Sequence, residues 1–159
     1  MTILGVDTSL RSTGYGVLEA RGSSLDALDY GTIVNQPAVP LSGCLAAIYR
    51  RISELLSVHS PQAVAVEKVI YAKNARTMLV LGEARGAVIA AAAAAGIPVF
   101  EYEPRRVKSA VCGNGLAEKS QVQRMVRTLV NLPLLPQDDA ADALAIAIAH
   151  THAFEPQSI

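Results

Sequence analysis

Residues 3–34 read ILGVDTSLRSTGYGVLEARGSSLDALDYGTIV. The run Ile3–Asp7 is short, apolar and closed by an acid, which is the pattern of a buried strand. Gly14–Glu19 and Leu28–Val34 form two further strands, separated by polar Gly/Ser turns. Three successive strands with short connections predict an antiparallel meander. Pro40 then opens a helix in which Leu41, Cys44, Leu45, Ile48, Ile52, Leu55 and Leu56 recur at helical spacing, with Arg50, Arg51 and Glu54 on the other face. Ala63–Glu67 is a fourth strand, again apolar and again ending in an acid. Asn74–Ala95 is a long helix with Gly96 as its C-cap, and Val99–Tyr102 is a fifth strand. Three helices follow, Pro104–Cys112, Glu118–Leu132 and Asp138–Phe154; Gly113-Asn114-Gly115 divides the first two, and Pro133 and Pro136 enclose the link to the last. A meander followed by alternating helices and strands predicts an α/β domain: a mixed five-stranded sheet with helices on both faces. One domain is expected over residues 1–155, with a flexible tail at 156–159.

The chain has 159 residues, of which 51% are hydrophobic, enough for a core built from Ala, Leu, Val and Ile. Cys44 and Cys112 fit neither a metal spacing nor a disulfide framework. Cys44 lies on the apolar face of its helix and reads as a small buried hydrophobe, which points to a reducing, cytoplasmic compartment. The start MTILGVDTS lacks the basic and long apolar regions of a signal peptide, and Ala87–Ala95 is too short to span a bilayer, so no membrane association is expected. The formal net charge is zero, but it is unevenly distributed. Between Lys68 and Arg127 there are ten basic residues against four acids. That window is a candidate nucleic-acid surface, although a helix can also carry Lys and Arg as a solvated face.

Four carboxylates fall where such a sheet converges. Asp7 and Glu67 end strands, and ligands of open sheets collect at strand ends. Asp139 and Asp142 lie three apart in the first turn of the last helix and share a face. Asp138 is four from Asp142 and shares that face equally, so spacing alone leaves open which of the two partners Asp142. Carboxylates gathered at one site repel, and hard divalent cations relieve the repulsion. Oxygen-only ligation suits Mg²⁺ or Mn²⁺ rather than Zn²⁺. Two such ions can clamp the attacking and leaving oxygens of a phosphate displacement. Each acid also has a plain structural reading: an Asx turn at Asp7, surface pairing of Glu67 with Lys68 or Lys73, and helix capping by Asp138 or Asp139.

The segments GVDTSLRSTGYGV, VEKVIYAKNARTMLVLGEARG, VFEYEPRRVK, AEKSQVQRMVRTLV and PQDDAADALAIAIAH together resemble the RuvC family over nearly the whole chain, from Ile3 to His150. The resemblance implies a ribonuclease-H-like fold and a homodimer acting in DNA recombination and repair. It implies paired symmetric nicks in a four-way (Holliday) junction that leave 5′-phosphate and 3′-hydroxyl ends, and a RuvAB branch-migration partner. Carried over motif by motif, the metal-binding acids are Asp7, Glu67, Asp139 and Asp142, holding two Mg²⁺ (or Mn²⁺) ions per subunit. The register of DDAADAL against the family's DAAD selects Asp139 over Asp138. Lys108 and Lys119 match basic positions near the scissile phosphate, where an ammonium could stabilise the pentavalent state.

Two departures stand out. Thr8-Ser9 replaces a common Pro-Gly after the first Asp. Ile70, followed by Tyr71, stands where the family often has a Phe that stacks on an unpaired base; by chemistry Tyr71 is the better stacking platform. Ile70, Tyr71, Lys73, Asn74 and Arg76 just after Glu67, with Arg85, Arg105 and Arg106, are the candidate DNA contacts. Two rival readings fit the sequence less well. An ATP-binding protein of the actin and sugar-kinase type would need a second lobe and a second phosphate loop. A junction-binding module without chemistry would have no use for four converging acids.

Overall fold

The computed structural model describes residues 1–70, 74–153 and 158–159. Five strands, β1 (Thr2–Asp7), β2 (Ser12–Arg21), β3 (Ser24–Val34), β4 (Ala63–Glu67) and β5 (Val99–Tyr102), form one sheet in the order β3-β2-β1-β4-β5. The β1/β2 and β2/β3 pairs are antiparallel, while β1/β4 and β4/β5 are parallel. The helices are α1 (Leu41–His59), α2 (Ala75–Ala94), α3 (Pro104–Cys112), α4 (Lys119–Leu129) and α5 (Asp138–Thr151). This is the expected α/β fold: a mixed five-stranded sheet with an antiparallel half and helices on both faces.

Side chains of a strand alternate between faces, so each strand feeds two cores. Leu4 and Val6 of β1, Tyr15 and Val17 of β2, and Val64 and Val66 of β4 pack with α1 and α2. Ile3, Leu18 and Ala65 face the other way, toward α3, α4 and α5. On that second face α5 lies unusually close to the sheet. A Cβ placed on Gly5 would stand 2.0 Å from the Ala143 carbonyl oxygen, and one on Gly14 would stand 1.9 Å from that of Asp139. The sheet supplies glycine and α5 supplies alanine, and the two backbones meet. The far end of α5 is held by a buried polar contact, Tyr102 Oη to His150 Nδ1 at 2.6 Å.

Several boundaries differ from expectation, among them the end of α4, at Leu129 where Leu132 was expected. β2 and β3 are longer than predicted because their hairpin pairs on from Leu18↔Ala27 out to Arg21↔Ser24. On β3 the alternation continues there, with Leu25 and Ala27 packed against the core between exposed Ser24, Asp26 and Leu28. The last helix ends at Thr151; Phe154, its expected end, lies outside the described residues. The expected flexible tail needs correction at its last two residues. Ser158 bridges Phe100 in antiparallel fashion, and the Ile159 N–H donates to the Val99 carbonyl at 3.0 Å. β5 is a sheet edge with unpaired backbone groups, and a short extended segment satisfies them.

The close approach of α5 yields a prediction. Gly5→Ala should lower the unfolding free energy by about 1–3 kcal/mol through overpacking, read as a shifted midpoint in chemical denaturation. An unchanged midpoint would show that α5 can move off the sheet freely.

Candidate active site

Strand alternation places the first two acids. Asp7 follows Ile3 and Gly5 in step, and Glu67 follows Ala63 and Ala65, so both point to the α5 face. Val6 pairs with Val66, which sets Asp7 and Glu67 side by side at the ends of adjacent parallel strands. The chain after Asp7 is tied down locally. The Thr13 hydroxyl donates to the Ser9 carbonyl, and Arg11 Nη1 donates to the carbonyls of Gln36 (2.7 Å) and Val39 (2.9 Å). The turn in which Thr8-Ser9 stands in place of Pro-Gly is thus braced by side chains.

The first turn of α5 sits over β2, and its acids diverge. Asp139 faces the sheet, where its carboxylate accepts from the Ser12 hydroxyl. Asp138 faces α4, where Oδ1 accepts from Gln123 and Oδ2 stands 3.8 Å from Lys119 Nζ. Asp142, one turn along, receives the Lys119 ammonium at 3.0 Å. The two neighbours thus part company: the Asp139 charge reaches both Asp7 and Asp142, and the Asp138 charge reaches Asp142.

Asp7, Glu67, Asp142, Lys108 and Lys119 line one cavity of about 190 Å³ whose remaining wall is apolar, including Val107, Val122, Ala145 and Ile146. The electrostatics follow from this packing. Burial first, then the charges of Asp142, Glu67 and Asp139, push the Asp7 carboxyl up to about 7, against a smaller pull from Lys119. Burial, then the Asp142 charge, also raises Glu67, while Lys108 opposes the rise. Asp142 is raised by burial and held back by its hydrogen bond from Lys119; the same bond lifts Lys119 above the ordinary lysine range. Asp7 therefore feels the other three carboxylates, and added positive charge would favour its ionised form.

Among the described residues no three His, Cys, Asp or Glu side chains form a ready ligand set. The positive charges set against the acids are the Lys119 ammonium at Asp142 and Asp7 and the Lys108 ammonium at Glu67. The donor set is nonetheless all oxygen, which suits a hard divalent cation, and the raised Asp7 is what an unneutralised cluster produces.

The other expected site residues divide. Ile70 is exposed and lines a neighbouring cleft of about 360 Å³ together with Asp7, Glu67, Lys68 and Leu81. Tyr71 and Lys73 lie outside the described residues. Asn74 caps α2, its Oδ1 accepting from Thr77 N at 2.9 Å, so its amide oxygen has a structural task. Arg76, Arg105 and Arg106 are exposed; Arg106 lies over the Tyr102 ring at 5.7 Å. The Arg85 guanidinium pairs with Glu101 at 2.6 Å, both side chains mostly buried, and ties α2 to β5. Ser12, Gln123 and the outward role of Asp138 were not anticipated, because each works through a partner distant in sequence, 127 residues away for Ser12.

The profile of the family described as Crossover junction endodeoxyribonuclease RuvC matches residues 3–150. A protein of that name from Citrifermentans bemidjiense is 49% identical over 152 residues, covering 96% of this chain and 93% of its own. The Thermus thermophilus RuvC structure superposes with a TM-score of 0.90 at 33% identity, with all of both chains covered. The structure of T. thermophilus RuvC in complex with Holliday junction substrate superposes with a TM-score of 0.95 at 32% identity, covering 100% of this chain and 99% of that one. With its fold, its carboxylate cavity and these likenesses in agreement, the chain belongs to the RuvC family of crossover junction endodeoxyribonucleases.

Proposed function

We propose that this chain resolves Holliday junctions by paired symmetric nicks, with Asp7, Glu67, Asp139 and Asp142 holding two Mg²⁺ or Mn²⁺ ions per subunit and Lys108 and Lys119 assisting. The observation that carries this reading is a cavity lined by Asp7, Glu67 and Asp142 with Lys108 and Lys119 in its wall, and Asp139 near enough for its charge to reach Asp7 and Asp142. The reaction is hydrolysis. A water oxygen bonds to phosphorus, the bond from phosphorus to the 3′ oxygen breaks, and that oxygen takes a proton, leaving 5′-phosphate and 3′-hydroxyl ends. Divalent cations bound there would supply Lewis-acid polarisation of the phosphate and ease ionisation of the attacking water. Lys108 and Lys119 set ammonium charge beside the phosphate as its negative charge grows. Val107, Val122 and Ile146 exclude water and so strengthen each of these electrostatic contacts. Ile70, at the lip of the adjoining cleft, is placed to wedge against unstacked bases at the crossover. Arg76, Arg105 and Arg106 offer phosphate contacts that add affinity without sequence choice. A RuvAB complex would deliver the junction in the cytoplasm.

Paired nicks need two sites, and α2 suggests how two copies meet. By length and composition alone this helix could cross a membrane, yet it packs on the sheet with only Ala84, Val88, Ala91 and Ala92 of its twenty residues buried. Leu79 is 64% exposed, and Cβ atoms on Gly82 and Gly86 would meet nothing within 4 Å. A second copy laid against this face would bury it across a two-fold axis.

Three outcomes are expected. Asp142→Asn should retain junction binding in a gel-shift assay and lose cleavage by more than about 100-fold; near-normal cleavage would remove α5 from the mechanism. The second outcome concerns pH. Asp7 titrates near 7 when folded and near 4 when unfolded, so between these values the folded state binds more protons. Metal-free protein should therefore lose stability as pH rises from about 4 to 7. Melting curves in chelator should show Tm falling over that window, the fall reduced in Asp7→Asn, and Mg²⁺ raising Tm more at pH 8 than at pH 5. Third, Leu79→Arg should halve the mass seen by sedimentation and turn paired nicks into single ones.

A further inference from the structure

We propose that Asp138 is a positioning residue that holds Lys119 beside the carboxylate cluster and takes over its ammonium when a divalent cation occupies Asp142. The inference rests on the metal reading above and extends it to a residue outside the four acids.

The geometry is specific. Lys119 opens α4, and the start of that helix is fixed by a capping box between Glu118 and Gln121. Its ammonium lies 3.0 Å from Asp142 Oδ2 and 3.8 Å from Asp138 Oδ2. The two aspartates are four residues apart on α5 and so share one face. Gln123, one turn along α4 from Lys119, donates to the other Asp138 oxygen. That bond fixes the carboxylate so that its free edge is turned to the lysine. Asp139 is not available for this task, because it faces β2 and accepts from Ser12.

The consequence is electrostatic. Without a cation, Lys119 neutralises Asp142. A cation arriving at Asp142 must displace the ammonium, which it also repels. If Asp142 were the lysine's sole partner, breaking that pair would count in full against cation binding. Asp138 offers a second carboxylate less than one ångström further off, so the ammonium exchanges partners instead of losing one. It also stays at the cavity wall, where phosphate would lie, rather than swinging into solvent.

The test is a double-mutant cycle on Mn²⁺ affinity, read from the free-Mn²⁺ electron paramagnetic resonance signal with the full chain and no DNA. Asp138→Asn should weaken Mn²⁺ binding about threefold, the range of an exposed ion pair. The same substitution made on top of Lys119→Met should change nothing, because the partner it serves is gone. Asp138→Glu should restore most of the affinity. Equal weakening with and without Lys119 would mean that Asp138 acts only as nearby negative charge, and would overturn the proposal. So would an Asp138→Asn protein with unaltered affinity. If the unsubstituted chain binds no Mn²⁺ at all, the metal reading itself fails and this inference fails with it; measurable Mn²⁺ binding with an additive cycle sinks the inference alone.

Discussion

Backbone-to-backbone contact between α5 and the sheet sets the position of everything that matters here. A helix normally stands off a sheet by the thickness of two side chains, and a site built on it inherits that gap. Here Gly5 and Gly14 remove one layer and the alanines of α5 thin the other. The helix drops until its carbonyl oxygens nearly touch the strands. Only then can Asp142, which belongs to a helix, share a cavity with Asp7 and Glu67, which belong to strands.

That closeness has an electrostatic cost, and the cost is useful. Burial and mutual repulsion raise Asp7, Glu67 and Asp142 together, so the metal-free site is a store of unfavourable charge. Rigid packing holds the acids where they repel. A hard dication held among these oxygens would relieve that repulsion. Lys119 partly discharges the store in the meantime. The hydrophobic walls contributed by α3, α4 and α5 keep the effective dielectric low enough for these interactions to count.

Much of this was legible in one dimension. The alternation of Ile3, Gly5 and Asp7, and of Ala63, Ala65 and Glu67, assigns the acids to one face before any coordinates exist. So does the three-residue step from Asp139 to Asp142. What could not be read depended on distant neighbours. Asp138 and Asp139 are equivalent by helical spacing; Ser12 on one side and Gln123 on the other distinguish them. Arg85 looked like a cation for DNA because helical periodicity reports only neighbours within a turn, and Glu101 lies on another element. The outer half of the β2–β3 hairpin is weakly marked in the sequence because Leu25 and Ala27 are its only inward apolar positions on β3, set among the polar residues of the turn and Asp26. The terminal residues were expected to be loose because nothing in a polar tail announces that a sheet edge awaits it.

The pairing of Ile159 with Val99 has a practical side. Parallel β4 and β5 put Glu67 beside Tyr102, so Val99 marks the opposite end of the sheet. Thr2 starts β1 at that same end, while Asp7 closes it at the other. An affinity handle or fluorophore attached at residue 1 or residue 159 would project from the rear of the molecule. Protein tethered to a sensor chip by either route would present its carboxylate cavity outward, open to a large branched substrate.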